Sequence, residues 1–237
     1  MPTFQDSESE AMEHYREFGF HVEPNLVPLE WCNKVIELAH TFPNAKDQTF
    51  RPIPMPHQKH PTFLATMKLP QIVHIVEKLI GSKASGLGGE VFYMPPGTPG
   101  FAPHQDNAYV QAPAEEFISA WTALCDVTAS NGGLTVFPGT HKLGLLPTRA
   151  ADNMQHVGQN PGARASECIL PEGWEPLDIE VKRGSTVFFH SLLVHKSNSN
   201  VTSDRFRFSF LATYLRKGAP FRPGKTQRRT EIDLHKE

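Results

Sequence analysis

The sequence predicts a mainly β fold with N-terminal helices, a jelly roll or barrel. Helical periodicity is confined to the first third of the chain. From Gly86 onward short strand-like runs alternate with Gly, Pro and Asn turns, and no helical pattern interleaves them. Helices segregated from strands in this way cover one outer face of a sheet.

Ser7 and Glu10 have capping-box spacing, followed by Met12, Tyr15 and Phe18 on one helical face and a stop at Gly19. A second helix starts near Pro28, with Leu29, Cys32, Val35, Ile36 and Ala39 as its buried stripe. Residues 50–57 are too rich in proline for a helix or a central strand and read as an ordered loop. Pro70 opens a third helix with Ile72, Val73, Ile75, Val76, Leu79 and Ile80 on its apolar side, and Gly81 ends it.

Residues 90–94 form a short strand running into the turn Pro95-Pro96-Gly97-Thr98-Pro99-Gly100. Residues 117–127 form a long strand, and Asn131-Gly132 is a hairpin signal ahead of Leu134-Thr135-Val136-Phe137. Residues 145–174 read as a long irregular segment, the kind that serves as a lid in a compact domain. Runs at 179–181, 186–189, 192–195 and 206–215 supply the remaining strands. There is no internal repeat. The expectation is one domain over 1–237, with a helical cover at 7–81, a β core at 86–215 and a lid at 145–174.

A chain of 237 residues with 39% hydrophobic content and 16 Phe suffices for one sizeable core. A net charge of -2 argues against a nucleic-acid partner, which wants a basic patch. Cys32, Cys125 and Cys168 are odd in number and lack metal-site spacing, which predicts reduced thiols. No apolar run is long enough to span a bilayer and the N-terminus is polar, so a cytoplasmic location with no membrane partner is expected.

The chemistry gathers at Pro103-His104-Gln105-Asp106. In an extended strand His104 and Asp106 point to one face. With a second His they make a two-His, one-carboxylate set, which leaves positions open on Fe(II). Alone the pair is weak: with 12 His and 25 acidic residues, a surface strand bearing two polar side chains explains it equally. The stretch from Gly184 to Ser197 adds an apolar strand and two candidate histidines, His190 and His195. By strand parity His195 shares a face with Ser197, whereas His190 lies an odd number of residues away and suits a packed histidine bonding a backbone carbonyl. In the last strand Phe206, Phe208, Phe210 and Tyr214 take one face, and Arg205, Arg207, Ser209 and Thr213 the other. That polar face is either solvated or an interior in which a guanidinium grips a carboxylate.

Four blocks together resemble the phytanoyl-CoA dioxygenase family: His104-Gln105-Asp106, Trp121-Thr122-Ala123-Leu124, Asn131-Gly132-Gly133-Leu134 with Pro138-Gly139-Thr140-His141, and the run from His195 to Asn200. The likeness is densest over residues 90–214. It implies a double-stranded β-helix of cupin-like kind and an Fe(II)- and 2-oxoglutarate-dependent oxygenase. It implies that His104, Asp106 and His195 are the catalytic iron ligands. It implies that Arg207 pairs with the distal carboxylate of 2-oxoglutarate, and that Ser197 and Trp121 line that cosubstrate's site. His141 ends a turn. The family's arginine usually stands one position nearer the distal His, where this chain has Phe206. Phe cannot bind a carboxylate, so the count slips to Arg205 or to Arg207; one extra residue in the turn at 202–204 favours Arg207.

The implied reaction consumes O2, converts 2-oxoglutarate to succinate and CO2 and hydroxylates a small-molecule substrate; metal and cosubstrate carry the hard chemistry. Related halogenases replace the carboxylate ligand with a small residue, so Asp106 favours hydroxylation. A cupin-like metal-binding protein without redox activity is the alternative, and it has no need of Arg207, Ser197 and Trp121 together. Candidate substrate contacts are Asn107, Tyr109 and Gln111, then Arg51, His57, Lys59 and His60, then His156, Arg164 and Trp174. No dense basic rim suited to a CoA thioester is evident, which favours a small polar or anionic metabolite.

Overall fold

The computed structural model describes residues 1–151, 166–224 and 228–236. The first helix, α1 (Glu8–Phe18), begins at Ser7, whose Oγ accepts from the Glu10 N–H at 3.5 Å. It ends at Gly19 with φ +80, whose N–H donates to Tyr15 O. A Cβ there would strike the His141 ring, so glycine is required twice over. The buried face is Ala11 and Tyr15 rather than Met12 and Phe18; Phe18, in the last turn, is exposed and tilts onto His14.

After α1 the chain enters a strand, β1 (Phe20–Glu23). Helix α2 (Leu29–His40) buries Cys32, Val35 and Ala39, while Leu29 in its first turn is exposed. Two short helices, α3 (Pro43–Lys46) and α4 (Pro61–Met67), flank β2 (Ile53–Pro54), and α5 (Pro70–Ile80) closes at Gly81. The proline-rich stretch is therefore partly strand: β2 pairs with the margin of β3 (Ala84–Met94), where proline's missing N–H is tolerated. β3 is longer than its sequence suggests. Its glycines look like a turn, but they permit close strand contact, since a Cβ on Gly89 would lie 2.6 Å from Leu211 O.

The remaining elements are α6 (Asn107–Val110), β4 (Phe117–Ala123), β5 (Leu134–Val136), β6 (Thr148–Ala150), β7 (Ser166–Cys168), β8 (Leu177–Ile179), β9 (Thr186–His190), β10 (His195–Ser197), β11 (Arg207–Arg216) and β12 (Ile232–Asp233). Among the described residues every strand pairing is antiparallel. The larger sheet runs β1-β9-β4-β11-β3-β12 with β2 also on β3, and the smaller runs β10-β5-β8. The Asn131-Gly132 turn joins the two sheets instead of making a hairpin: β4 pairs with β9 and β11, whereas β5 pairs with β8 and β10. Asn131 braces that turn, accepting from Thr128 N–H and donating to Asp126 O. Within 145–174, expected to be irregular, β6 pairs with β7.

Two cores follow from strand alternation. On the outer face of the larger sheet, Val91, Tyr93, Phe208, Phe210 and Tyr214 pack against α2, α4 and α5 through Val35, Phe63, Met67 and Val76. Between the sheets, Trp121, Val187 and Phe189 meet Leu134, Val136 and Ile179. Each such side chain, once enclosed, stabilises the fold by roughly 1.5–3 kcal/mol. The polar row of β11, Arg207 and Ser209, faces inward with this second core and is buried. Among the described residues no helix is long and apolar enough to cross a membrane.

Candidate metal centre

His104 and Asp106 do not share a strand, contrary to the alternation argument. The His104 N–H donates to His195 O at 2.9 Å and the His195 N–H to His104 O at 3.0 Å, an isolated antiparallel bridge beside β10. The chain then turns: Asp106 is helical, φ -61 and ψ -32, and leads into α6. A bridge followed by a helical turn brings the carboxylate beside the imidazole. Gln105 fixes that turn from behind, donating to Leu192 O at 2.6 Å and Gly144 O at 2.8 Å while accepting from the Leu146 N–H at 2.8 Å. Its role has no signal in the sequence beyond standing between the two ligand candidates.

His104, Asp106 and His195 each offer one atom to a set lying within 4.8 Å of one another. Both Nε2 atoms stand 3.7 Å from Asp106 Oδ1. Each ring's Nδ1–H donates to a backbone carbonyl, His104 to Ala102 O at 2.8 Å and His195 to Leu193 O at 3.0 Å. That choice of tautomer leaves both Nε2 lone pairs bare toward the carboxylate, the orientation a metal requires. Asp106 Oδ2 accepts from Ser119 Oγ at 2.5 Å, leaving Oδ1 to the histidines. Burial, reinforced by His104, pushes His195 down to about 4, so its imidazole is neutral at physiological pH.

His190 lies elsewhere. Its Nδ1 accepts from the Leu192 N–H at 3.1 Å, its Nε2 is 3.3 Å from Glu115, and its ring neighbours His141 and Tyr15. His141 sits in the turn after Gly139, bonded to Arg16 O at 3.1 Å.

Arg207 is 2% exposed. Its Nε donates to Gly132 O at 3.0 Å and its Nη1 to Ser209 Oγ at 2.7 Å, Nη2 touches Met94 Sδ, and the guanidinium stands 5.7 Å from the centre of the Trp121 ring. Burial pulls it down to about 10, and no carboxylate pairs with it among the described residues. Arg205, by contrast, is exposed and donates to Ser130 Oγ. Phe206 turns away to pack on Phe50 and Phe208. Asn200 pins the preceding turn by donating to Met94 O and Arg205 O. Trp121 is enclosed between the sheets, and Ser197 Oγ accepts from the Phe101 N–H at 2.9 Å.

Of the candidate substrate contacts, Tyr109 lies by the cluster, its ring 6.3 Å from that of His104. Asn107 is structural, exchanging two bonds with Ala112; His60 caps α4, Trp174 packs against Phe137 and Val194, and Lys59 stands over Phe42. Gln111 and Arg51 are exposed and His57 is half-buried. His156 and Arg164 lie outside the described residues. Glu90 escaped the sequence reading: it faces the interior from β3, and burial, reinforced by the Asp106 charge, pushes it up to about 7. Two surface hollows, of about 400 Å³ beside α1 and about 210 Å³ beside the Pro95-Pro96-Gly97 turn, lie away from the cluster.

A mainly β, antiparallel fold carrying an inward-facing set of two histidines and one aspartate defines the class of protein. The sequence profile of the phytanoyl-CoA dioxygenase (PhyH) family matches residues 15–209. This chain belongs to that family. A probable phytanoyl-CoA dioxygenase of Caenorhabditis elegans is 34% identical over 151 residues, 60% of this chain and 47% of the relative. The chain spans about half the length of the curated relatives it matches. Among solved structures, the α-ketoglutarate-dependent carbocyclase SnoK from nogalamycin biosynthesis superposes with a TM-score of 0.76 at 20% identity, covering 98% of this chain and 97% of that one. The epimerase SnoN, in complex with Fe3+, α-ketoglutarate and nogalamycin RO, gives 0.72 at 20% identity, covering 97% and 96%. These likenesses establish a shared fold.

Proposed function

We propose that this chain is an Fe(II)- and 2-oxoglutarate-dependent oxygenase on a double-stranded β-helix, hydroxylating an aliphatic C–H bond of a small polar or anionic metabolite with release of succinate and CO2. The observation that carries the reading is the buried Arg207, without an acidic partner among the described residues, in the same interior as the His104, Asp106 and His195 cluster. A buried guanidinium left without an anion is costly. A dicarboxylate cosubstrate supplies that anion.

In this reading His104, Asp106 and His195 hold the iron, and Arg207 holds the distal carboxylate of 2-oxoglutarate beside Trp121 and Ser197. When bound, iron and 2-oxoglutarate supply O2 activation coupled to oxidative decarboxylation. The chain supplies orientation: the two backbone-bonded Nδ1–H groups and the Ser119 hydroxyl hold the ligand atoms toward one point. The apolar interior around Trp121, Phe189 and Leu134 excludes water. A metal-binding module without redox chemistry would keep the three ligands but has no use for a buried, unpaired Arg207.

The solved neighbours include an epimerase and a carbocyclase, so the assay should follow the cosubstrate rather than one product. The experiment is a substrate panel in air with Fe(II) and 2-oxoglutarate, read as succinate. Substrate-dependent succinate that is lost in Asp106→Ala supports the reading; equal release by that variant contradicts it.

A further inference from the structure

Along β3 the side chains alternate: Val91 and Tyr93 enter the helix-facing core, which turns Glu90, Phe92 and Met94 inward. Met94 is level with Arg207 and Glu90 with Leu211, four residues further along β11. At about 3.3 Å per residue, Glu90 stands roughly 13 Å along the sheet from the proposed cosubstrate clamp. At that end Trp121 pairs with Leu211, and Ser119, which holds Asp106, pairs with Thr213. Glu90 is thus on the ligand side of the interior, and the Asp106 charge acts on it.

The C-terminal segment returns to this end. β12 pairs with Gly86 and Ser85 of β3, and the Glu231 carboxylate accepts from Ser85 Oγ at 2.7 Å and the Gly218 N–H at 2.8 Å. The Arg222 N–H donates to Val110 O at 2.7 Å, which lays the segment along α6, the helix that Asp106 opens. Arg229 follows, half-buried, with Nη1 3.5 Å from Tyr109 O. Its charge acts on both Asp106 and Glu90, yet among the described residues neither carboxylate ion-pairs with it. Arg229 lies beyond residue 209, where the family match ends.

We infer that Glu90 and Arg229 are the two poles of the substrate subsite, and that the molecule oxidised is a small zwitterion with its ammonium toward Glu90 and its acidic group toward Arg229. This rests on the iron and 2-oxoglutarate reading above and narrows its substrate class. Two opposite charges held near each other but apart, in a partly desolvated interior, are both satisfied by one ligand that bridges them. A fatty acyl chain in the same place would bury the Glu90 carboxylate against methylene groups, which is unfavourable.

The test uses the full chain loaded anaerobically with Fe(II) and 2-oxoglutarate, watching the charge-transfer absorption of that complex. The probes are free amino acids, the amines lacking their carboxyl group, the acids lacking their amino group, and a straight-chain acyl-CoA. Amino acids should perturb the band and the other three classes should not at equal concentration. Glu90→Gln and Arg229→Gln should each weaken that response at least tenfold, and Arg229→Lys should recover part of it. A panel in which no amino acid perturbs the band, or in which the acids or acyl-CoA do so equally, overturns the assignment; so does an undiminished response in Glu90→Gln. If the wild type forms no such band at all, the underlying iron and 2-oxoglutarate reading fails, and this assignment with it.

Discussion

His104 and His195 are tied to each other through their backbones, N–H to O in both directions at 2.9 and 3.0 Å, and their rings lie 4.2 Å apart. Residues far apart in sequence are thereby fixed as neighbours before any metal arrives. His195→Ala should therefore lose iron. His190→Ala should keep iron and lose about 1–3 kcal/mol of stability, because it leaves the Leu192 N–H without its acceptor. Iron content and thermal unfolding of the two variants decide between them; wild-type iron content in His195→Ala contradicts the assignment.

Ser119 is expected to set the aim of Asp106. Removing its hydroxyl in Ser119→Ala frees the carboxylate to rotate and should weaken iron binding about 10–100-fold, as loss of such outer partners does elsewhere. Competition with a chelator measures this. Unaltered affinity would mean that the short contact to Asp106 is incidental.

Arg207 presents a fork already braced by Gly132 O and Ser209 Oγ. Lysine reaches as a single point charge and loses the two-pronged geometry, so Arg207→Lys should raise the 2-oxoglutarate concentration needed for turnover sharply. Arg205→Lys should not, since Arg205 is exposed at Ser130. If the two variants behave the other way round, the clamp is Arg205.

The pattern of legibility follows from range. Features set by neighbours in sequence were readable: the Ser7 cap, the Gly19 and Gly81 stops, the α5 stripe and the alternation that turns Arg207 inward while Phe206 and Phe208 face the helices. Features set by partners distant in sequence were not. β1 is four residues without a clear alternating pattern and becomes a strand because β9 offers it an edge. The glycines of β3 read locally as a turn, and only the approach of Leu211 gives them another meaning. At the site, the candidate residues could be picked out in the sequence but their geometry could not. The sequence suggested strand parity, whereas a β-bridge and a helical turn at Asp106 do the work. Glu90 and Arg229 carried no motif at all; a carboxylate beside glycines and an arginine in a polar tail acquire significance once the tail folds back along β3.

Glu90 should also cost stability in a pH-dependent way. Its ordinary value of 4.5 is raised to about 7 in the folded protein, so its favourable contribution is present below 4.5 and is lost as pH rises through 7. Glu90→Gln does not titrate. In metal-free protein its advantage over wild type should grow from near zero at acid pH to roughly 3 kcal/mol on the alkaline side. Denaturant unfolding across that range measures it, and a difference that does not change with pH contradicts it.

The most direct measurement of the central claim is a stepwise anaerobic titration of the full chain, first with Fe(II) and then with 2-oxoglutarate, followed by absorption. The account predicts one iron per chain. It then predicts a charge-transfer band that appears only on adding 2-oxoglutarate, saturates at one equivalent, is absent in Asp106→Ala, and needs far more 2-oxoglutarate in Arg207→Lys. A chain that binds iron at His104, Asp106 and His195 yet shows no band with 2-oxoglutarate at any concentration would contradict it, and would leave a metal-binding protein whose buried arginine serves something else.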